Sequence, residues 1–195
     1  MDKSTDFIQQ QSGADTRADE LLVVRCQLGE RAAFDALAAR WYRPLWRYAR
    51  NLTGNDAAAD DATQDIWVGV LRGIDKLRDG ARLRSWLFGI GHRVLMGRLR
   101  QQYGRSECGD PVSDDIPAAD EHETFLHELD LAVLMDELGR LPLPEQEVLT
   151  LFYLRELSLD DVSRVLGIPP GTVKSRLHRA RKMLRQHLDR KGVRA

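Results

Sequence analysis

The chain has 195 residues, of which 43% are apolar and 30% charged. That is a globular balance, long enough for one ordinary domain or two small ones, and it excludes a disordered chain. The net charge of −1 argues at first against a polyanionic partner, but the charge is segregated along the chain.

Residues 1–18 are polar and aperiodic and are expected to form a disordered tail. Leu21, Leu22, Val24 and Cys26 offer one short apolar face before Gly29. Phe34, Leu37, Trp41, Leu45, Tyr48 and Leu52 then recur at spacings of three and four, the stripe of a long amphipathic helix. Pro44 lies inside it, where a kink is expected, and Thr53-Gly54-Asn55 ends it. Asp56 is read as the N-cap of a third helix with Ile66, Trp67, Val70, Leu71 and Ile74 on its apolar face. A basic loop follows from Asp75 to Arg84. Ser85 is read as the N-cap of a fourth helix, whose face holds Trp86, Leu87, Ile90, Val94, Leu95 and Leu99.

From Gly104 to Thr124 periodicity stops, and two Pro, two Gly, three Ser/Thr and seven acids mark a linker. Helical patterning resumes near Phe125 and runs through Leu129, Val133, Leu134 and Leu138. Pro144 suits the first turn of the next helix, with Val148, Leu149, Leu151 and Phe152 as its core face. Ser158-Leu-Asp-Asp161 reads as a capping box, Gly167 as a C-cap and Ile168-Pro-Pro-Gly171 as a tight turn. The last helix is predicted over about Thr172–Leu188, with Val173, Leu177, Ala180, Leu184 and Leu188 inward. No strand is predicted.

Two basic blocks flank the acidic linker. From Arg72 to Arg105 there are nine Arg/Lys against two Asp, and from Ser158 to Ala195 ten against three. Each is a candidate surface for a polyanion. The two cysteines, Cys26 and Cys108, stand far apart with no CxxC or His/Cys cluster, so neither metal nor cofactor is expected. Cys26 is read as a small buried apolar residue; Cys108 falls in the linker. No apolar run approaches the ~20 residues that span a bilayer, and the polar start lacks a secretory signal. The protein is therefore expected to be cytoplasmic, without membrane insertion.

Leu157–His187 has the layout of a helix-turn-helix, whose second helix enters the major groove. With its apolar residues inward, Lys174, Ser175, Arg176, His178, Arg179, Arg181 and Lys182 turn outward; long cations reach guanine edges or phosphates. A solvated basic face is the plainer alternative. The capping box, Gly turn, double proline and one-sided charge together favour the groove.

The string "GTVKSRLHRARKMLR", preceded by "SLDDVSRVLGIPP" and "LPLPEQEVLTLFYL", resembles region 4 of the extracytoplasmic-function (ECF) sigma factors of the sigma-70 family. "AFDALAARWYRPLWRYAR", "DAAADDATQDIWVGVL" and "RLRSWLFGIGHRVL" resemble region 2 of the same family. The resemblance implies an all-α fold: two small helical domains, a region 2 bundle over 19–103 and a region 4 helix-turn-helix over 128–190. A flexible acidic linker, 104–127, joins them.

It implies an alternative sigma factor, not an enzyme, that binds core RNA polymerase and promoter DNA, with an anti-sigma factor as a further partner. Lys174, Ser175, His178 and Arg179 then fall on base-facing positions for the duplex −35 element, and Thr172 and Arg176 on backbone-contacting ones. Asp61, Gln64 and Asp65 match the family's polymerase-binding signature; alone, they would read as solvated acids complementing a helix dipole. Lys76, Arg78, Arg82 and Arg84 match the loop that captures a base of the melted −10 element, as cations tracking phosphates beside an unstacked base suggest. Trp67 and Trp86 are read as core residues.

The family often has Ile-Ala-x-Asn where this chain has Ile90-Gly91-His92-Arg93, and often another side chain at His178. The linker spans on the order of 25 Å root-mean-square, and serves either as a thread through polymerase or as a soluble spacer. Two other readings are a stand-alone helix-turn-helix regulator and a metal-dependent hydrolase built on Asp61, Asp65 and His92 or His122. A gel shift with and without polymerase separates the regulator from the sigma factor; the scattered His residues and the lack of a phosphate loop or nucleophile–base pair weigh against the hydrolase.

Overall fold

A computed structural model describes residues 16–103 and 131–191. The expected linker with Cys108 and His122, and most of the expected tail, lie outside the described residues. Those residues are helical, with no strand among them.

Helix α1 (16–27) turns Asp19, Val23 and Cys26 inward, at spacings of four and three. The face expected from Leu21, Leu22, Val24 and Cys26 is therefore rotated: Cys26 is buried, but Leu21 and Val24 are 59% and 52% exposed. Residues two apart cannot share one helical stripe, and the stripe that closes runs through the acid Asp19. The Asp19 carboxylate accepts a hydrogen bond from Trp41 Nε1 at 3.3 Å and pairs with Arg40 at 3.0 Å.

Helix α2 (Arg31–Thr53) buries Ala33, Leu37, Trp41, Leu45, Tyr48, Ala49 and Leu52 and contains Pro44. It ends at Gly54, which takes φ 66°, a left-handed conformation that suits glycine. Helix α3 (Asp56–Gly73) is capped one residue earlier than expected. Asn55, not Asp56, accepts the Ala58 N–H at 3.0 Å, and Asp56 sits in the first turn paired to Arg50.

Helix α4 (Leu83–Tyr103) also begins early. The 3-10 turn Gly80–Arg82, capped by the Asp79 carboxylate on Ala81 N–H at 3.1 Å, already sets a helical backbone. Ser85 thus lies inside the helix and donates to Arg82 O at 3.1 Å. Helix α4 packs against α2 and α3 and buries Leu83, Leu87, Phe88, Ile90, Leu95 and Met96. Trp86, Val94 and Leu99, expected on its face, are half-buried at the rim of the core. Phe88 is the centre that the periodic reading passed over. Its ring meets Trp41 and Tyr48 edge-on at 6.3 and 5.4 Å, as aromatic quadrupoles favour.

The second group comprises α5 (Leu131–Gly139), α6 (Leu143–Leu149), α7 (Leu159–Leu166) and α8 (Pro170–Arg190). Ser158 Oγ accepts the Asp161 N–H at 3.1 Å and donates to the Asp161 carboxylate at 2.6 Å, and Gly167 takes φ 67°, so the serine N-cap and the glycine C-cap both form. Val173, Leu177, Ala180, Leu184 and Leu188 are all buried. After α6 the chain widens into a π-helical turn, Thr150–Leu154.

Helix α6 carries three buried polar residues, Glu145, Gln146 and Glu147. Two of them join the groups. Glu147 Oε1 accepts from Tyr48 OH at 2.8 Å and from His92 Nδ1 at 2.5 Å. Gln146 Nε2 donates to Asn51 O at 2.7 Å, and α7 lies against α4. The two groups predicted as separate domains are thus packed together through α2, α4, α6 and α7.

Candidate nucleic-acid and protein interfaces

Three surfaces carry the residues singled out from the sequence. On α8, Lys174 and His178 are exposed, and Thr172, Ser175, Arg176 and Arg179 are half-buried. All six stand on the turns that follow the α7–α8 connection. Pro170 and Gly171 open the helix, and Ser175 Oγ donates back to Thr172 O at 3.0 Å. Arg179 differs from its neighbours: its Nη1 donates to the buried carboxylate of Glu145 at 3.2 Å. The far end of the helix is tied to α5 by Lys191, whose ammonium lies 2.6 Å from Glu137 and 3.1 Å from Asp136. Those contacts raise the Lys191 pKa and lower those of both acids.

The basic loop between α3 and α4 is folded rather than open. It consists of two 3-10 turns, Ile74–Lys76 and Gly80–Arg82, around the buried Leu77. Gln27 of α1 donates to Ile74 O at 2.9 Å and to Leu77 O at 2.8 Å. Gly80 lies so close to α1 that a Cβ there would stand 2.8 Å from the Cα of Glu20. Lys76, Arg78 and Arg82 are exposed, with Arg82 paired to Asp79 at 2.9 Å. Arg84 turns inward over the Trp41 ring, 5.7 Å from its centroid and 3.7 Å from Glu156. The structure therefore separates Arg84 from the three loop cations. Gln27 and Gly80, which hold the loop, were not visible in the sequence because their partners are backbone atoms of another element.

On α3, Asp61, Gln64 and Asp65 are exposed and share one face. Val68 and Leu71 extend that face, 43% and 56% exposed. Leu71 was expected in the core; Ile66, Val70 and Ile74 fill it instead. Trp67 is half-buried against the core, and its Nε1 is buried without a partner among the described residues. Arg98 of α4 bridges the acids: its guanidinium bonds the Asp65 carboxylate, by Nε at 2.9 Å, and the Asp61 carbonyl at 3.1 Å. Trp46 Nε1 donates to Asp60 at 2.6 Å, so that acid faces a different neighbour. The result is an acidic-apolar strip whose geometry is set from α4. Arg98 was missed in the sequence, where it read only as part of a basic block. Among the described residues no cluster of His, Cys, Asp and Glu could hold a metal ion, and no helix is long and apolar enough to cross a membrane.

Comparison with known proteins fits this layout. Residues 37–105 match the model of the family described as Sigma-70 region 2, and residues 131–184 match Sigma-70, region 4. The ECF RNA polymerase sigma factor SigM of Mycobacterium tuberculosis is 36% identical over 172 residues, 88% of this chain and 85% of that protein. SigL of the same species is 33% identical over 84% of this chain and 90% of the relative. Two solved structures share the fold. CnrH in complex with the cytosolic domain of CnrY has a TM-score of 0.65 at 25% identity, covering 89% of this chain and 98% of that one. The sigma factor RpoE in complex with the anti-sigma factor NepR from Bartonella quintana has a TM-score of 0.63 at 26% identity, covering 80% and 96%.

Proposed function

The chain belongs to the ECF sigma factors of the sigma-70 family and directs transcription initiation, and we propose how its parts divide that work. The front bundle (19–103) binds core RNA polymerase through the α3 strip and takes the melted −10 element on its basic loop. The helix-turn-helix unit (128–190) reads the duplex −35 element with α8. The carrying observation is the shape of α8: five buried apolar residues along one side, and Lys174, Ser175, Arg176, His178 and Arg179 on the remaining surface. One helix fits the major groove, and its cations suit guanine edges and phosphates.

In the polymerase-binding strip, Asp61, Gln64 and Asp65 supply charge, while Val68 and Leu71 supply exposed apolar area beside it. In the loop, Lys76, Arg78 and Arg82 face solvent and would track phosphates. Arg84 braces the loop against Trp41 and contributes less to DNA. The protein acts in the cytoplasm, by binding rather than by catalysing a reaction of its own. Because two structures of the same fold are complexes with CnrY and with the anti-sigma factor NepR, an anti-sigma partner is proposed here too.

The test is run-off transcription with purified core polymerase, the full chain and a pool of bacterial promoter fragments. New start sites sharing −10 and −35 sequences are expected. No new start site, or equally tight duplex binding without polymerase, would overturn the reading. Within it, Arg98→Ala frees the Asp65 carboxylate and is expected to weaken association with core polymerase several-fold, with the thermal transition nearly unchanged. Unchanged association in a pull-down would mean that this brace has no part in the interface.

A further inference from the structure

Among the described residues, Arg179 alone of Lys174, Arg176, His178 and Arg179 on α8 is paired with an acid. Its partner is unusual. Glu145 lies in the first turn of α6, is only 5% exposed, and meets no other hydrogen-bonding side chain among the described residues. A buried carboxylate is costly unless it is paired, and packing alone would be met by an apolar residue. Among the described residues its one side-chain partner is the Arg179 guanidinium.

A free arginine samples many rotamers, and its donors form a rigid planar fork. Fixing one Nη at the edge of the helix-turn-helix core orients the whole plane. The side chain remains 38% exposed, so part of it stays open to a partner outside the protein. Helices α6 and α8 pack against each other, so the anchor sits on a neighbour of the recognition helix.

We infer that Glu145 is a positioning residue: it holds the Arg179 guanidinium in the orientation that reads a −35 base pair, and so sets promoter selectivity without touching DNA. The inference rests on the proposed base-facing role of Arg179. Bidentate recognition demands a defined plane, and a mobile guanidinium would fall back on any nearby phosphate.

The experiment uses polymerase reconstituted with the full chain. Its template is a promoter found by run-off transcription, with each −35 position substituted in turn. Arg179→Ala is expected to flatten the preference at one position, by on the order of tenfold. Glu145→Ala should flatten that same position several-fold and leave the other positions unchanged. Glu145→Gln keeps an acceptor but loses the charge, so it should fall between wild type and Glu145→Ala; it also serves if the alanine variant does not fold. The double variant should match Arg179→Ala alone, since both changes remove one interaction.

Three results would overturn the inference. Equal loss of activity at all −35 variants would make Glu145 a structural strut. An equal gain at all of them would make it a mask over a phosphate-binding arginine. If Arg179→Ala leaves every preference intact, the base-facing assignment fails first, and the role of Glu145 with it.

Discussion

Replacing Phe88 by alanine should cost about 3–5 kcal/mol, the largest loss expected from one substitution in the front bundle. The ring is 1% exposed and meets Trp41 and Tyr48 edge-to-face, on α4, which touches α2, α3 and the second group. Truncation removes both aromatic contacts and leaves a cavity that helices fixed by their own hydrogen bonds can only partly close. In a bundle of this size the midpoint of thermal unfolding should fall by roughly 10 °C or more. Phe88→Leu, which refills much of the volume, should recover most of that loss. Circular dichroism melting checks both variants, and a midpoint within a degree or two of wild type for Phe88→Ala would show that the core is organised elsewhere.

Glu147→Ala should part the two helical groups. The carboxylate is 5% exposed and receives Tyr48 OH and His92 Nδ1 from α2 and α4. Removing it leaves the buried Tyr48 hydroxyl without that partner, at about 1–3 kcal/mol of desolvation, and strips the half-buried His92 Nδ1 of the same carboxylate. The loss falls on the contact between the groups, because neither Tyr48 nor His92 belongs to the helix-turn-helix unit. Small-angle scattering should therefore report a larger radius of gyration while helicity is kept; an unchanged radius would mean that the packing of α7 on α4 suffices.

The same site has a pH signature. Burial, and then the Glu147 carboxylate, hold the Tyr48 phenol well above its ordinary value near 10. Its folded pKa exceeds its unfolded one, so its stabilisation is complete below about pH 10 and is lost as the pH rises further. In Glu147→Ala the tyrosinate absorbance should appear at lower pH than in the wild type.

Glu147 also shows where reading a sequence stops. Its neighbours Val148, Leu149 and Leu151 were assigned to the core from their spacing, and they are buried. Glu145, Gln146 and Glu147 are equally buried, but an acid or amide on a helix reads as solvated until its partner is known. Tyr48 lies 99 residues away and Arg179 lies 34 away, so no local pattern links them. Helix α4 failed for the opposite reason. Buried on several sides, it offers no single stripe, and Phe88 was passed over in favour of Trp86. The cap of α3 moved by one residue and the start of α4 by three, because Asn55 and the Asp79 turn competed with Asp56 and Ser85.

Local chemistry written into consecutive residues was decided by the sequence itself. It dictated the helix-turn-helix, from Ser158 at its cap through Gly167 to the five inward residues of α8, because capping and helical periodicity act over a few residues. It also carried the family, through strings of contiguous residues. Only the tertiary structure decided which charges are free to meet a partner. It folded Arg84 over Trp41, braced Asp65 with Arg98, tied Arg179 to Glu145 and turned Leu71 outward. These pairings depend on distances between helices, which are set by how the apolar faces pack and which no stretch of sequence states.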